Sequence, residues 1–357
     1  MTKVELEKFT ATGDTTIVDA MKKIDLNSYQ VLFVVDETGR LLGSVSDGDI
    51  RRGLIKNGQL DQKIAELMNT KTRYICKGEI WDENYWKEHV GISVVPIVDS
   101  KNVIIDFKRK LKRNIISEEQ KKYLKDVPVV IMAGGKGTRL YPFTKILPKP
   151  LIPVGDTPIL ERIFNRYAAY GIDHFYLTVN YKKNIIKSYF DDLDKAYELK
   201  YVEEDQPLGT GGSLRLITDP LVKPIIVANC DILIDADYAD IYRYHIESKS
   251  DVTIVSALKQ IQVPYGVLHA GENGVISSME EKPSMSYFIN TGMYVVNPEC
   301  LGVIPSNQMY HMTDLVDELM KQGKKVSMYP ISEDSFLDMG EFEEMKRMED
   351  RLEELTE

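Results

Sequence analysis

The run VPVVIMAG at 127–134 contains no charged residue, so a strand made from it must be buried on both faces. A strand covered on both sides belongs to a sheet flanked by helices, which directs the chain toward parallel α/β architecture. Neighbouring segments agree. HFYLTVN (174–180), PIIVANCDILI (224–234), DVTIVSAL (251–258) and YFINTGMYVV (287–296) read as further strands. Between them 157–170 and 182–196 suit helices, the first starting at Thr157 and Pro158 and stopping at Gly171. The expected fold class is α/β, a mostly parallel sheet covered by helices. Ligands of such sheets bind beyond the carboxyl ends of the strands.

Charge and composition narrow the function. Of 357 residues, 45 are Lys or Arg and 55 are Asp or Glu, a net charge of −10. A surface this acidic repels a phosphate backbone, so no nucleic acid is expected as partner. Hydrophobic residues at 43% and charged residues at 28% suit a folded chain and not a disordered one. No apolar run approaches the roughly 20 residues of a membrane span, and MTKVELEKFT has charges where a signal peptide has its apolar stretch. Cys76, Cys230 and Cys300 are odd in number and widely spaced, which suggests neither disulfides nor zinc. A reduced, cytoplasmic protein without membrane contact is expected.

Segment 108–125, KRKLKRNIISEEQKKYLK, holds eight basic and two acidic residues, with Leu111, Ile115 and Ile116 leaving one apolar side. It reads as a solvated helical linker. The expected division is 1–115, a charged linker at 116–126, and 127–357. At the acidic end Phe342, Met345, Met348, Leu352 and Leu355 recur at helical spacing and predict a packing helix.

The first part contains a repeat. VLFVVDETGRLLGSV (31–45) and SVVPIVDSKNVIIDF (93–107) each run strand, Val-Asp, polar turn, strand. Before the first copy Ile17, Ala20, Met21 and Ile24 predict a helix capped by Thr15 or Thr16. After it a helix starts at Asp47-Gly48-Asp49. Through GSVSDGDIRRGLI (43–55) this α+β tandem resembles a pair of cystathionine-β-synthase (CBS) domains. The resemblance implies an adenine nucleotide held by Ser46 and Asp49. The second copy is degenerate, because VIIDF runs into KRK without glycine, hydroxyl or aspartate. Packing and dimerisation without a ligand is the alternative.

The chemistry concentrates in AGGKGTRLYPFTKILPKPLIPVGDTPIL, 133–160. Gly134, Gly135 and Gly137 let backbone amides approach a phosphate. Arg139 offers a fork of donors to phosphate oxygens, and Pro148 and Pro150 stiffen the chain around Lys149. Lys136 is followed by glycine, so this is no P-loop, and Leu140 stands where a dinucleotide fingerprint needs its third glycine.

The stretch resembles the signature of the sugar-phosphate nucleotidylyltransferases: glycine-rich loop with Thr138 in Gly-Thr-Arg-Leu, then Pro-x-Thr, then Pro-Lys-Pro-Leu. The resemblance runs from about Val127 to about Met345. It implies a Rossmann-like nucleotidyltransferase fold and transfer of a nucleoside monophosphate from an NTP to a sugar 1-phosphate. In EEDQPLGTGGSL (203–214) it implies nucleotide contacts at Gly209, Gly211 and Gln206 or Glu204. Asp231 in VANCDILID and Asp338 in SFLDMGEF would bind Mg²⁺. Tyr265, Gly266, Glu281, Lys282, Asn290 and Gly292 match its sugar-side motifs. Arg139, Lys149 and Asp231 would be the catalytic set. The phrase PLGTGG and the domain order resemble bacterial sugar 1-phosphate guanylyltransferases of the glucosamine-1-phosphate type, which implies GTP, a surface-glycan role and a homo-oligomer. Thymidylyl or uridylyl transfer is the alternative. A nucleotide sensor without catalysis is the alternative of another class, against which Arg139, Lys149, Asp231 and Asp338 are all present.

Overall fold

The computed structural model describes residues 3–27, 29–79, 85–88, 92–110, 116–340 and 344–350. It falls into two compact units, 1–115 with 258–288, and 116–257 with 289–357.

In the first unit, Thr16 caps helix Ile17–Asn27 through the Asp19 amide at 3.2 Å, and the helix buries Ile17, Ala20, Met21 and Ile24. Strand Thr10–Thr12 lies parallel to Val31–Val35, which pairs antiparallel with Leu41–Ser46. The second copy repeats this topology: Ile75–Cys76 parallel to Val94–Val98, which is antiparallel to Ile104–Arg109. The repeat seen in two hairpins thus extends to two three-stranded sheets. Their turns bond to one another, the Leu41 amide to the Asn102 carbonyl at 2.9 Å and the Ile104 amide to the Gly39 carbonyl at 3.1 Å. Phe33 stacks on Phe107 between the sheets, with centroids 5.2 Å apart.

Segment 258–288 joins this unit because Leu258 is buried in the core formed by Ile17, Leu32, Ile50 and Leu54, with Phe288 packed against it. Between those residues lies the hairpin Val267–Ala270 with Ile276–Glu280.

The second unit is built on a seven-stranded sheet. Its order is Glu198–Glu203, His174–Val179, Val129–Ala133, Ile225–Asn229, Ser284–Val296, Val252–Gln262, Val326–Ser332. The first four are mutually parallel, and Ser284–Val296 runs antiparallel to Ile225–Asn229. Val129–Ala133 is buried at every residue, as its uncharged sequence requires. Helix Ile159–Ala169 ends before Gly171, whose φ of +82° suits glycine. Helix Lys183–Asp192 is shorter than the expected 182–196, ending at Leu193, whose backbone turns extended.

Two elements differ from the sequence reading. The expected helical linker does hold a helix, Glu118–Leu124, capped by Ser117 and Gln120 on each other's amides, but one side of it is packed instead of solvated. Leu124 is fully buried in the second unit's core, and the Gln120 amide donates to Asp237 at 2.8 Å. Segment 224–234, read as one strand, breaks after Asn229. Ile232–Ile234 instead pairs antiparallel with Phe336–Asp338, setting Ile232 opposite Asp338. At the end of the chain 344–350 is helical with Met348 buried; Phe342, Leu352 and Leu355 lie outside the described residues. Among the described residues no helix is long and apolar enough to cross a membrane.

Candidate active site

Beyond the carboxyl ends of Val129–Ala133 and Ile225–Asn229 the second unit opens into a cleft of about 380 Å³. Gly134, Gly135, Gly137, Thr138, Arg139, Lys149, Glu204, Gly209 and Asp231 line it. A smaller cleft of about 190 Å³ shares Arg139, Asn229 and Asp231 with it and is lined further by Asn290, Gly292, Tyr294 and Asp338.

The glycine loop is shaped by what lies under it. Gly137 has a φ of +64°, and a Cβ there would come within 2.7 Å of the Lys149 Cβ and 3.0 Å of the Thr144 methyl. Gly137 therefore lets the loop close over Lys149. Gly137→Ala is expected to displace Lys149 and lower turnover more than about tenfold, because small misplacements of a positioned group are expensive in rate. Wild-type turnover in that variant, in a steady-state assay, would contradict this reading of the loop.

Lys149 sits in the turn Lys149–Leu151 between two prolines and is 8% exposed. Its ammonium pairs with the Asp231 carboxylate. Asp231 is reached because the strand breaks before it, and Asp338 because its strand pairs beside it: the Met339 amide donates to the Asp231 carbonyl at 2.8 Å. Burial and then the negative charge of Asp231 raise the Asp338 pKa, with Lys149 and Arg139 opposing. Two half-buried carboxylates side by side offer hard oxygen donors suited to a divalent cation. Cys230 also borders the cleft, but burial pushes its thiol to about 12, which keeps it protonated and unfit as a nucleophile.

Glu204 was one of two sequence candidates for contacting a base, and the cleft is lined by it. It is 3% exposed, accepts from the Leu208 amide at 3.2 Å, and has its pKa raised by burial. A Cβ at Gly134 would lie 2.7 Å from its Oε1, so glycine makes room for that carboxyl. Gln206 is exposed, and its amide donates to the Asn307 carbonyl and Oδ1, both at 3.1 Å. Gly209 borders the cleft with φ at +78°. Gly211 and Gly212 instead face the segment 308–312: both amides bond the Tyr310 carbonyl at 2.9 Å.

Asn290 donates to the Tyr294 hydroxyl at 2.6 Å and accepts from the Gly292 amide at 2.9 Å. A Cβ at Gly292, whose φ is +82°, would collide with the Asn229 amide. Asn229 borders both clefts and was not singled out in the sequence, although it ends a buried strand two residues before Asp231. Met309, also in the wall, comes from a segment without any motif.

Tyr265, Gly266, Glu281 and Lys282 belong to the first unit and gather at the foot of its hairpin. There a Cβ at Gly266 would meet the Glu281 carboxylate at 3.0 Å. In the same unit, Ser46 and Asp49 form a capping box for helix Asp47–Asn57. The Ser46 hydroxyl donates to Asp49 at 2.6 Å, and the Asp49 amide returns to the Ser46 oxygen at 3.2 Å.

Comparison with known proteins fits this arrangement. The nucleotidyl transferase family profile matches residues 128–354, and the CBS domain profile matches 1–56. A UTP–glucose-1-phosphate uridylyltransferase of Synechocystis sp. is 33% identical, over 54% of this chain and 55% of its own. A mannose-1-phosphate guanyltransferase of Schizosaccharomyces pombe is 34% identical, over 49% and 51%. A D-glycero-alpha-D-manno-heptose 1-phosphate guanylyltransferase of Campylobacter jejuni is 31% identical, over 59% and 93%. The chain thus spans about half the length of the first two relatives and nearly all of the third. With a single profile covering well over half its length, the chain belongs to the nucleotidyl transferase family and carries a CBS domain at its N-terminal end.

Proposed function

We propose that this chain transfers a nucleoside monophosphate, from GTP, to a sugar 1-phosphate and releases pyrophosphate. The observation that carries the proposal is the pair of adjoining clefts that share Arg139, Asn229 and Asp231: one is floored by the glycine loop, the other holds Asp338 and Asn290. Two anionic reactants need two sub-sites and cations between them.

The attacking group is an oxygen of the sugar phosphate, largely dianionic near pH 7 because its second pKa is about 6. No general base is required. A bond forms from that oxygen to the α-phosphorus, and the bond from the α-phosphorus to the bridging oxygen breaks as pyrophosphate leaves. Lys149 holds the α-phosphate in line, while Arg139 and the amides of the glycine loop hold the departing pyrophosphate. Asp231 and Asp338 would hold Mg²⁺, which supplies fixed positive charge against the phosphate oxygens. The Lys149–Asp231 pair keeps both side chains placed and opens when phosphate arrives.

Glu204 supports GTP. A carboxylate accepts only, and guanine presents two adjacent donors, N1–H and the 2-amino group, on one edge. Uracil and thymine present one N–H between two carbonyls. Two of the three relatives described above carry guanylyl names. Glucosamine 1-phosphate is the acceptor to test first, beside mannose and heptose 1-phosphates. In the N-terminal module Ser46 and Asp49 cap a helix, so an adenine nucleotide would have to compete with that box. This supports a packing role.

The test is product formation. GTP with glucosamine, mannose or heptose 1-phosphate should yield a GDP-sugar by mass spectrometry when Mg²⁺ is present. EDTA should abolish it and excess Mg²⁺ restore it. Unchanged product in EDTA would refute the roles of Asp231 and Asp338.

A further inference from the structure

Between the buried Leu140 and Pro148 the chain makes an outward loop whose large apolar side chains remain largely in solvent. Tyr141, Phe143, Ile146 and Leu147 are between 37% and 76% exposed. Burial of these side chains contributes little to holding the loop, yet its two ends carry the cations of the site. Within 141–147 Thr144 alone is buried, and its methyl would touch a Cβ at Gly137, the residue that closes over Lys149.

The loop folds as the turn Phe143–Lys145, and its last carbonyls have no helix to continue into. The Lys182 ammonium fills that role. It donates to the carbonyls of Lys145 at 2.6 Å, Ile146 at 2.8 Å and Thr144 at 3.3 Å. Three N–H donors meet three successive carbonyls, a match of number and of charge to the negative end of a helical turn. The anchor is rigid. Lys182 sits in left-handed conformation where helix Lys183–Asp192 begins, and that helix buries Ile186 and Phe190 in the core. The Tyr181 hydroxyl reinforces it with a long bond to the Thr144 carbonyl at 3.4 Å.

We infer that Lys182 is a positioning residue: by pinning the carbonyls of 144–146 it holds Thr144 under Gly137, and so keeps Lys149 and Arg139 placed for phosphate. It lines neither cleft. The inference rests on the transferase reading above for its effect on turnover, but its effect on the loop stands apart from that reading.

The experiment compares the full chain with Lys182→Met and Lys182→Arg by amide hydrogen exchange and by steady-state turnover at saturating substrates. The amides of Lys145, Ile146 and Leu147 bond within the turn and report its opening. Lys182→Met should raise their exchange more than about tenfold while strands Val129–Ala133 and Ile225–Asn229 stay protected, and should lower kcat about tenfold or more. Lys182→Arg, which keeps charge and donors, should restore most of both. Unchanged exchange in Lys182→Met, or increased exchange with wild-type kcat, would overturn the inference. So would equal losses in the Arg and Met variants. A wild-type chain silent toward every triphosphate and sugar phosphate would sink the proposed function instead. Lys182 is then judged on exchange alone, where retained protection in Lys182→Met overturns the staple and lost protection supports it.

Discussion

Glu204→Gln should invert the base preference, from GTP toward UTP and dTTP. The carboxylate borders the cleft and is nearly fully buried, so whatever it bonds is also out of water. Hydrogen bonds to a charged group contribute about 1.5–3 kcal/mol, and each 1.4 kcal/mol is tenfold, so kcat/KM for GTP should fall by about ten- to a hundredfold. Glutamine offers one acceptor and one donor side by side, which matches the N–H and carbonyl of uracil or thymine, so their kcat/KM should rise. Some stability should be lost, because the carboxyl accepts from the Leu208 amide and glutamine keeps only one acceptor there. The loss is limited because glutamine has the same shape and burial opposes the charged form of Glu204. Competition assays with mixed triphosphates read the ratio directly. An unchanged ratio in a folded variant would remove Glu204 from base selection.

Lys149→Ala should lower kcat more than about tenfold, and up to a thousandfold if it acts like other single electrostatic contacts to a transition state. Removing a nearly buried ammonium also leaves Asp231 unpaired beside Asp338, so some loss of stability is expected. Magnesium separates the two effects. If the carboxylates bind it, Mg²⁺ should raise the melting temperature of the variant without restoring kcat. Lys149→Met, which fills the same space, should show the same kcat loss. Turnover near wild type in either variant would end the proposed role of Lys149.

What could be read from the sequence follows from the range of each interaction. Val127–Gly134 is legible as a doubly covered strand because burial on both faces excludes charge from a continuous run. The glycine loop and Lys149 are legible because they are close in sequence. The break after Asn229 is not, since apolar residues resume at 232–234 and only pairing with Phe336–Asp338, a hundred residues on, separates them from the first strand. Gly211 is legible as part of a glycine-rich turn, but its closeness to His311 and Met312, where a Cβ would come within 3.1 Å, depends on a segment a hundred residues away. Lys182 carries no motif; its role depends on three carbonyls brought to it by the fold. Segment 258–288 groups with the first unit through Leu258 and Phe288, two apolar residues that look like any others in a strand.

Whether the phosphate of a sugar 1-phosphate is the nucleophile toward a nucleoside triphosphate is decided by pyrophosphate release across a panel of GTP, UTP, dTTP, CTP and ATP, each with and without sugar 1-phosphates, in Mg²⁺. Release should require a sugar 1-phosphate and be fastest with GTP. Silence across the panel, or release indifferent to the sugar phosphate, would contradict that role.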